Sequence, residues 1–247
     1  MTAEPFVPPP YPYDRLDRLA PLASHHDGGV VDLSIGTPFD PPPASVINAF
    51  GSSGAERGYP ASIGSAPLRE VISAWIDRRF SLDVSTSAIA ACIGTKEFVG
   101  TLPQWMRLRN PERDTVLYPS ISYPTYAMGA TLAGCRAVPI PVDSSGTLQL
   151  SAVDQSDVER ALLLWVNSPS NPSGQLDDLD AAAAWGRTHG IPVFSDECYV
   201  EFTWDGRCRT ILENGLDGVV AVHSLSKRSN LAGARVGFYA GDPDLVG

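Results

Sequence analysis

The sequence has few of the features that identify zinc proteins, secreted proteins or membrane proteins. It contains four cysteines, and none of them has a CxxC or other metal-ligand spacing. No apolar run approaches the roughly 20 residues that a membrane-spanning helix needs. The proline-rich beginning lacks the basic segment and the following apolar segment of a signal peptide. We therefore expect no metal site, reduced thiols and a cytoplasmic location.

Basic residues are also scarce. The 247 residues include 18 lysines and arginines against 28 aspartates and glutamates, which gives a formal net charge of −10. A surface of this sign repels phosphate backbones and anionic lipid headgroups, so nucleic acids and membranes are not expected as partners. The length suffices for one large domain or two small ones with a sizeable core.

One lysine, Lys227, lies between two apolar runs within residues 218–240. An ammonium ion is costly beside apolar surface, and a lysine that loses its proton becomes a nucleophile able to form a Schiff base with an aldehyde. The hydroxyls of Ser224 and Ser226, together with the guanidinium of Arg235, could converge on a phosphate group. The alternative interpretation is a solvated lysine in a polar turn.

Short apolar runs alternate with loops and with segments of helical periodicity along most of the sequence. Strands are predicted over residues 30–35, 88–93, 115–118, 136–142, 161–166, 191–194, 218–222 and 234–240. Helices are predicted over residues 14–22, 44–50, 66–80, 95–105, 127–133 and 179–189. In the third of these, Ser65 would be the cap, and the apolar residues Leu68, Val71, Ile72, Trp75, Ile76 and Phe80 fall on one face. This repeated order predicts an α/β fold of three layers, α/β/α, in which helices cover both faces of a mostly parallel sheet.

Polar residues follow the predicted strands at the points where they end. The residues in question are Thr95, Tyr123, Asn171, Asp196, Tyr199 and Lys227. Each has an ordinary explanation when taken alone, such as a strand-to-helix turn at Thr95, core packing of Tyr123 or a structural ion pair at Asp196. Ligands of parallel sheets, however, bind beyond the carboxyl ends of the strands. The convergence of these residues on one edge therefore predicts a binding site.

Their chemistry suits pyridoxal phosphate, which needs a lysine for its aldehyde, an acid at its ring nitrogen and a cradle for its phosphate. Lys227 would supply the amine and move a proton between substrate and cofactor, and Asp196 would keep the ring nitrogen protonated. Tyr199 and Asn171 would bond the ring oxygen, and Tyr123 would stack on the ring. The phosphate would be held by Thr95, Lys96, Ser224, Ser226 and Arg235.

The motifs resemble those of a known family. They are Ser224-x-Ser226-Lys227 followed by Arg235, Asn171-Pro172-Ser173-Gly174, and Asp196-x-x-Tyr199. Together they are similar to the class I/II aminotransferases, which are fold type I pyridoxal-phosphate enzymes, and the resemblance covers essentially the whole chain. It implies a seven-stranded sheet in the large domain. Residues 224–237 and 33–38 look most like those of succinyldiaminopimelate aminotransferases of lysine biosynthesis.

The resemblance also implies roles for individual residues. Lys227 would be the Schiff-base lysine, Asp196 the partner of the pyridine nitrogen, and Tyr123 the stacking ring. Gly36 would lie at the substrate carboxylate, and Asn171 would also bind the substrate. Tyr59 would reach the phosphate bound by a neighbouring subunit, and this implies a homodimer with shared active sites.

The resemblance divides the chain into two parts. Residues 1–45 would form an N-terminal arm and part of a small domain, and residues 46–247 the cofactor-binding large domain. Family members are longer and carry a C-terminal small domain with an arginine for the substrate α-carboxylate. The sequence stops before that region, so we expect either a fragment or a truncated polypeptide, and a truncated polypeptide would transaminate little.

Three functions agree with these residues. The first is transfer of an amino group between an amino acid and a 2-oxo acid, with N-succinyl-L,L-diaminopimelate and 2-oxoglutarate as one candidate pair. The second is a carbon–sulfur β-lyase that uses the same site. The third is a non-catalytic ligand-sensing domain of a transcription regulator, which is disfavoured because residues 1–44 are too short for a helix-turn-helix unit.

Overall fold

The computed structural model describes residues 6–8 and 11–247. The extended arm expected over residues 1–12 therefore lies mostly outside the described residues. The chain divides into two compact units, Met1–Pro38 and Phe39–Gly247. The division of roles between an arm of residues 1–45 and a large domain of residues 46–247 stays a prediction.

The first unit contains short helices but no strand among its described residues. A 3-10 helix, Pro12–Arg18, precedes helix α1, Ala20–Ala23, where a single short helix was expected. The predicted strand at residues 30–35 is wrong. Val31 is 81% exposed and Leu33 is 87% exposed, and no described strand pairs with this segment. An apolar run becomes a strand only when a neighbour supplies the hydrogen-bond ladder.

The second unit is built on one seven-stranded sheet. Its strands are β1 Ile89–Cys92, β2 Thr115–Pro119, β3 Arg136–Ile140, β4 Ala161–Asn167, β5 Val193–Asp196, β6 Val219–Ser224 and β7 Gly237–Gly241. Their spatial order is β1-β7-β6-β5-β4-β2-β3. Strand β7 runs antiparallel to β1 and β6, and all other neighbours are parallel. The predicted mostly parallel sheet is confirmed.

Helices cover both faces of this sheet. The helices of the second unit are α2 Ala44–Gly51, α3 Ala66–Phe80, α4 Thr95–Arg109, α5 Thr125–Leu132, α6 Gln155–Arg160, α7 Leu179–His189, α8 Leu225–Arg228 and α9 Pro243–Val246. Short 3-10 helices span Ala55–Arg57, Thr86–Ala88, Leu150–Ala152, Val200–Phe202, Ile211–Asn214 and Ala232–Ala234. Helices α3, α6 and α7 contribute to one apolar core and α4 and α5 to a second. The predicted three layers are confirmed.

Strand β4 shows why the apolar runs form the centre of the molecule. Every residue of β4 is buried, because helices cover the sheet on both sides and leave no polar face. Helix α3 begins where the sequence predicts it, with the Ser65 side chain accepting a hydrogen bond from the Leu68 N–H at 3.3 Å. Ile76 of this helix is fully buried, but Val71 is 63% exposed, so its predicted place on the buried face is wrong.

The lengths and hydropathy of the helices also show whether any of them could cross a membrane. In the described part of the chain, no helix combines the length and the apolar character required for a membrane crossing.

Candidate active site

The directions of the strands bring the polar residues to one edge of the sheet. Because β7 is antiparallel to both β1 and β6, β1 points the same way as the parallel strands. Residues that follow β1 to β6 and residues that precede β7 therefore share an edge. That edge carries the predicted site residues Thr95, Lys96, Tyr123, Asn171, Asp196, Tyr199, Ser224, Ser226, Lys227 and Arg235.

Asp196, the last residue of β5, is the most constrained acid at this edge. Its side chain is buried, and its Oδ2 accepts a hydrogen bond from the Tyr126 hydroxyl at 2.9 Å. Its Oδ1 accepts one from the Cys198 N–H at 3.1 Å. Burial raises the pKa of Asp196, whereas the thiol and N–H of Cys198 and the hydroxyl of Tyr126 hold that pKa down. The Asp196 carboxylate is therefore oriented, and its hydrogen bonds offset only part of the cost of burying its charge. A cation at this edge could offset the rest.

Cys198 connects this acid to the start of helix α4. Its Sγ lies 3.2 Å from the Thr95 Oγ1, and burial raises the pKa of the thiol well above its usual value. Thr95 is the first residue of this 15-residue helix. The N–H groups in the first turn of a helix have no intrahelical acceptor and carry a partial positive charge. This end of α4 suits a phosphate group beside Asp196.

A second network fixes the loop after β4. The Asn167 Nδ2 donates to the Asp196 carbonyl oxygen at 2.8 Å, and the Asn171 N–H donates to the Asn167 Oδ1 at 2.7 Å. The Asn171 Nδ2 in turn lies 3.4 Å from the Tyr199 hydroxyl, to which it donates. An amide and a phenol are thus held together next to the strand that ends in Asp196.

The serines and the arginine of the lysine motif form the third part of the edge. The Ser224 Oγ accepts from the Ser226 N–H at 3.0 Å and lies 2.9 Å from the Ser226 Oγ. The exposed Arg235 has a left-handed backbone with φ of 55°. Its guanidinium lies so close to Gly94 that a side chain at Gly94 would overlap with it. Arg235 is therefore placed against the turn that leads into α4.

Lys227 lies in the short helix α8 directly after β6 and is half-buried. Val222 of β6 is the register partner of Asp196 in β5, so the lysine and the acid follow adjacent points of adjacent strands. Tyr123 is half-buried and packs against the core formed by α4 and α5. Lys96 is exposed in the first turn of α4.

The two remaining predicted residues, Gly36 and Tyr59, do not adjoin a strand of the sheet. Gly36 belongs to the first compact unit, and its place at the substrate carboxylate stays a prediction. Tyr59 belongs to the second unit and is fully exposed, at 104% of its reference area. The surface position of Tyr59 agrees with a residue that serves a neighbouring subunit, but that role also stays a prediction.

Sequence reasoning missed three residues of the site: Tyr126, Asn167 and the Cys198 side chain. Tyr126 follows the predicted stacking residue Tyr123 by three positions and lies in the first turn of α5. Asn167 ends the longest buried apolar run, where a polar side chain needs a partner. Both signals are readable in the sequence.

The arrangement can hold a planar heterocycle that carries a phosphate group. The buried acid and the half-buried lysine provide a proton partner and an amine, and the start of α4 with Arg235 provides positive potential for the phosphate. Among the described residues, no cluster of three or more histidine, cysteine or acidic side chains could hold a metal ion.

Comparison with known families and curated proteins agrees with this geometry. The family model "Aminotransferase class I and II" matches residues 28–247. The 4-dedimethylamino-4-oxo-anhydrotetracycline transaminase OxyQ of Streptomyces rimosus is 39% identical over 97% of this chain and 66% of its own length. A probable aminotransferase of Mycobacterium tuberculosis is 39% identical over 96% and 56%. An LL-diaminopimelate aminotransferase of Desulforudis audaxviator is 32% identical over 96% and 63%.

Solved structures show the same similarity. An aminotransferase from Neisseria meningitidis superposes with a TM-score of 0.88 at 29% identity, covering 96% of this chain and 64% of that one. A probable N-succinyldiaminopimelate aminotransferase from Thermus thermophilus gives a TM-score of 0.84 at 29% identity, covering 95% and 65%. The chain thus spans less than two thirds of the length of these relatives.

Proposed function

The chain belongs to the aminotransferase class I and II family, and from this premise we propose that the protein transfers an amino group between an amino acid and a 2-oxo acid. Members of this family depend on pyridoxal phosphate. The observation that carries the proposal is the buried Asp196 carboxylate, oriented by Tyr126 and Cys198 on the same sheet edge as Lys227.

The described residues fit this cofactor. Asp196 is a buried acid whose carboxylate is oriented by two donors. A protonated ring nitrogen requires an acceptor of this kind. The start of α4 and the Arg235 guanidinium against Gly94 suit the phosphate, to which Lys96, Ser224 and Ser226 would also bind. Pyridoxal phosphate, when bound, supplies an aldehyde that condenses with amines and a ring that accepts electrons from the substrate carbon.

The residues of the chain would hold the cofactor and transfer protons. Lys227 would hold the cofactor through its amine and, once displaced by the substrate, would move a proton to and from the substrate carbon. Asp196 would keep a proton on the ring nitrogen by supplying the opposing charge. Tyr199 and Asn171, already within hydrogen-bond distance of each other, would donate to the ring oxygen, and Tyr123 would cover one face of the ring.

A methyl group at position 94 should weaken cofactor binding. Gly94 has φ of 77°, and the added Cβ of Gly94→Ala would overlap with the Arg235 guanidinium and push it from the phosphate position. We expect the dissociation constant of pyridoxal phosphate to rise about tenfold, or about 1.4 kcal/mol. Fluorescence titration of the cofactor-free protein measures this constant.

The matched control is Gly134→Ala. Gly134 also has a left-handed φ, of 66°, but no atom lies within 4 Å of the position that an added Cβ would occupy. This variant carries a similar backbone strain without touching Arg235, and its affinity for the cofactor should equal that of the wild type. Equal weakening in both variants would show that backbone strain, and not the displacement of Arg235, controls the affinity.

For the amino donor we propose N-succinyl-L,L-diaminopimelate, with 2-oxoglutarate as acceptor and a place in lysine biosynthesis. Support comes from the similarity to the Thermus thermophilus structure named for that substrate and to LL-diaminopimelate aminotransferases. The similarity to OxyQ, named for a tetracycline intermediate, makes a larger ketone-bearing acceptor the competing candidate.

A half-reaction experiment tests both the reaction and the substrate. The intact, cofactor-loaded protein is mixed with one donor at a time: N-succinyl-L,L-diaminopimelate, L,L-diaminopimelate, glutamate or a cysteine thioether. Amino transfer converts the cofactor to its amine form with one equivalent of 2-oxo acid, and the succinylated donor should react fastest. Pyruvate and ammonia from the thioether would instead identify a β-lyase. No reaction with any donor, despite bound cofactor, would overturn the proposed transfer.

We also propose a homodimer that acts in the cytoplasm. The complete exposure of Tyr59 supports a role at the site of a second subunit, and the four free cysteines agree with a reducing compartment. Sedimentation of the intact protein tests the dimer.

A further inference from the structure

A buried pair of titratable side chains lies next to the proposed site, on the opposite face of the sheet. The Glu197 Oε2 and the His223 Nε2 are 3.3 Å apart, and the two side chains are 0% and 2% exposed. Neither of these two atoms has a hydrogen bond of standard geometry with any described residue. The pair joins β5 to β6 at their carboxyl ends, where the Glu197 N–H also donates to the Val222 carbonyl at 2.9 Å.

Burial favours the neutral form of both partners. Burial raises the pKa of Glu197 to about 8 and lowers the pKa of His223 to about 3. At neutral pH the protonated carboxyl can therefore donate to the His223 Nε2, which shares one proton between the two groups. The other carboxyl oxygen, Oε1, already accepts from the Ile211 N–H at 2.8 Å. The nearest charged groups are Asp196 on the side of Glu197 and Arg228 on the side of His223.

Aromatic rings close around the imidazole. The ring centroids of Trp75, Phe80 and Phe238 lie 5.1, 6.3 and 5.0 Å from that of His223. The Trp75 ring is also covered by the guanidinium of Arg228, 4.5 Å from the ring centroid. Arg228 is the residue after Lys227, so the same aromatic layer contacts both the pair and the turn that carries the lysine.

The pair cannot touch the cofactor side of the sheet, because side chains alternate between faces along a strand. Asp196 contacts Tyr126 of α5 on one face, whereas His223 contacts Trp75 and Phe80 of α3 on the other. Glu197 and His223 are nevertheless the immediate chain neighbours of Asp196 and Ser224. Their influence on the site would therefore pass through the backbone of β5 and β6 or through the Trp75–Arg228 contact.

We propose that Glu197 and His223 are positioning residues, which fix the spacing between Asp196 and the Ser224–Lys227 turn from the far side of the sheet. This inference rests on the proposed function. Reacting groups need placement within a fraction of an ångström, and a neutral proton-sharing pair across two strands supplies a fixed spacing in a dry core.

The test compares three substitutions of Glu197 in the intact protein loaded with pyridoxal phosphate. Glu197→Gln keeps a donor for the His223 Nε2 and an acceptor for the Ile211 N–H, and should have wild-type properties. Glu197→Ala removes the 3.3 Å contact with the His223 Nε2 and the hydrogen bond from the Ile211 N–H. It should shift the visible absorption band of the bound cofactor, raise the cofactor dissociation constant several-fold and lower kcat about 10- to 100-fold with little change in KM. Glu197→Asp withdraws the carboxyl from the imidazole and should move the same three quantities in the same direction.

The control breaks a different acid–base pair, one that lies far from the site. The Asp157 Oδ1 lies 2.6 Å from the Arg136 Nη1 near the β3 edge of the sheet, and Asp157→Ala should lower stability without moving the cofactor band. A wild-type band and rate in Glu197→Ala would overturn the positioning role, and if that variant does not fold, the same result in Glu197→Asp would overturn it. Absence of a cofactor band in the wild-type protein would instead refute the proposed function itself.

Discussion

Replacing Lys227 with alanine should lower the rate of amino transfer by about 10³-fold or more and remove the covalent link between protein and cofactor. The expected loss is large because one amine would serve both as the attachment point of the aldehyde and as the group that moves the substrate proton. Borohydride treatment followed by peptide mass mapping reports the link, and single-turnover kinetics report the rate.

The sequence supplies an informative control for this experiment. These 247 residues contain two lysines, Lys96 and Lys227, so a modified peptide from this part of the protein must carry one or the other. Lys96→Ala should keep the covalent link and weaken only the hold on the phosphate. A modified peptide that contains Lys96, or a linked cofactor in Lys227→Ala, would contradict the role assigned to Lys227.

Much of this site was predictable because strand ends are marked in the sequence. An apolar run followed by a proline- or glycine-rich loop, as after β4, indicates where a buried strand stops, and parallel strands stop at one edge. The positions of Asn171, Asp196 and Lys227 at that edge follow from this pattern and are confirmed by the sheet.

Contacts between distant parts of the chain were not predictable. Tyr126 donates to Asp196 across 70 positions, and Cys198 meets Thr95 across 103. Nothing in the local pattern of either segment identifies its partner, because the contact depends on how α4 and α5 pack against the sheet. The pairing of Glu197 with His223 likewise required the β5–β6 register, which an alternating pattern cannot fix in strands buried on both faces.

The wrong strand prediction at residues 30–35 has a related cause. Hydrophobic pattern reports which residues avoid water, but a strand also needs a neighbour for its backbone groups. Val31 and Leu33 have the composition of a strand and are exposed in the structure. In contrast, β6 has a similar composition and two neighbours, and all of its residues are buried.

Asp196→Asn is expected to lower kcat by about 10²- to 10³-fold, which is the usual loss when a directed charge is removed from an active site. The amide has nearly the volume of the carboxylate, so the packing around Tyr126 should survive. It cannot oppose the charge of a protonated ring nitrogen, and the cofactor would then accept electrons less readily. Stopped-flow measurement of the half-reaction, with thermal unfolding as a check on folding, tests this expectation. A rate within about threefold of the wild type would contradict the role of Asp196.

Tyr126→Phe tests the effect of the Tyr126 hydrogen bond on the pKa of Asp196 separately from the charge of Asp196. This variant removes the 2.9 Å hydrogen bond to Oδ2 and leaves the carboxylate in place. The bond from the Tyr126 hydroxyl lowers the pKa of Asp196, so its loss should raise that pKa. Because the ionised carboxylate is the active form, the acid limb of the pH–rate profile should move to higher pH, while the rate at its plateau falls less than about tenfold. An acid limb that stays in place would mean that a group other than Asp196 controls it.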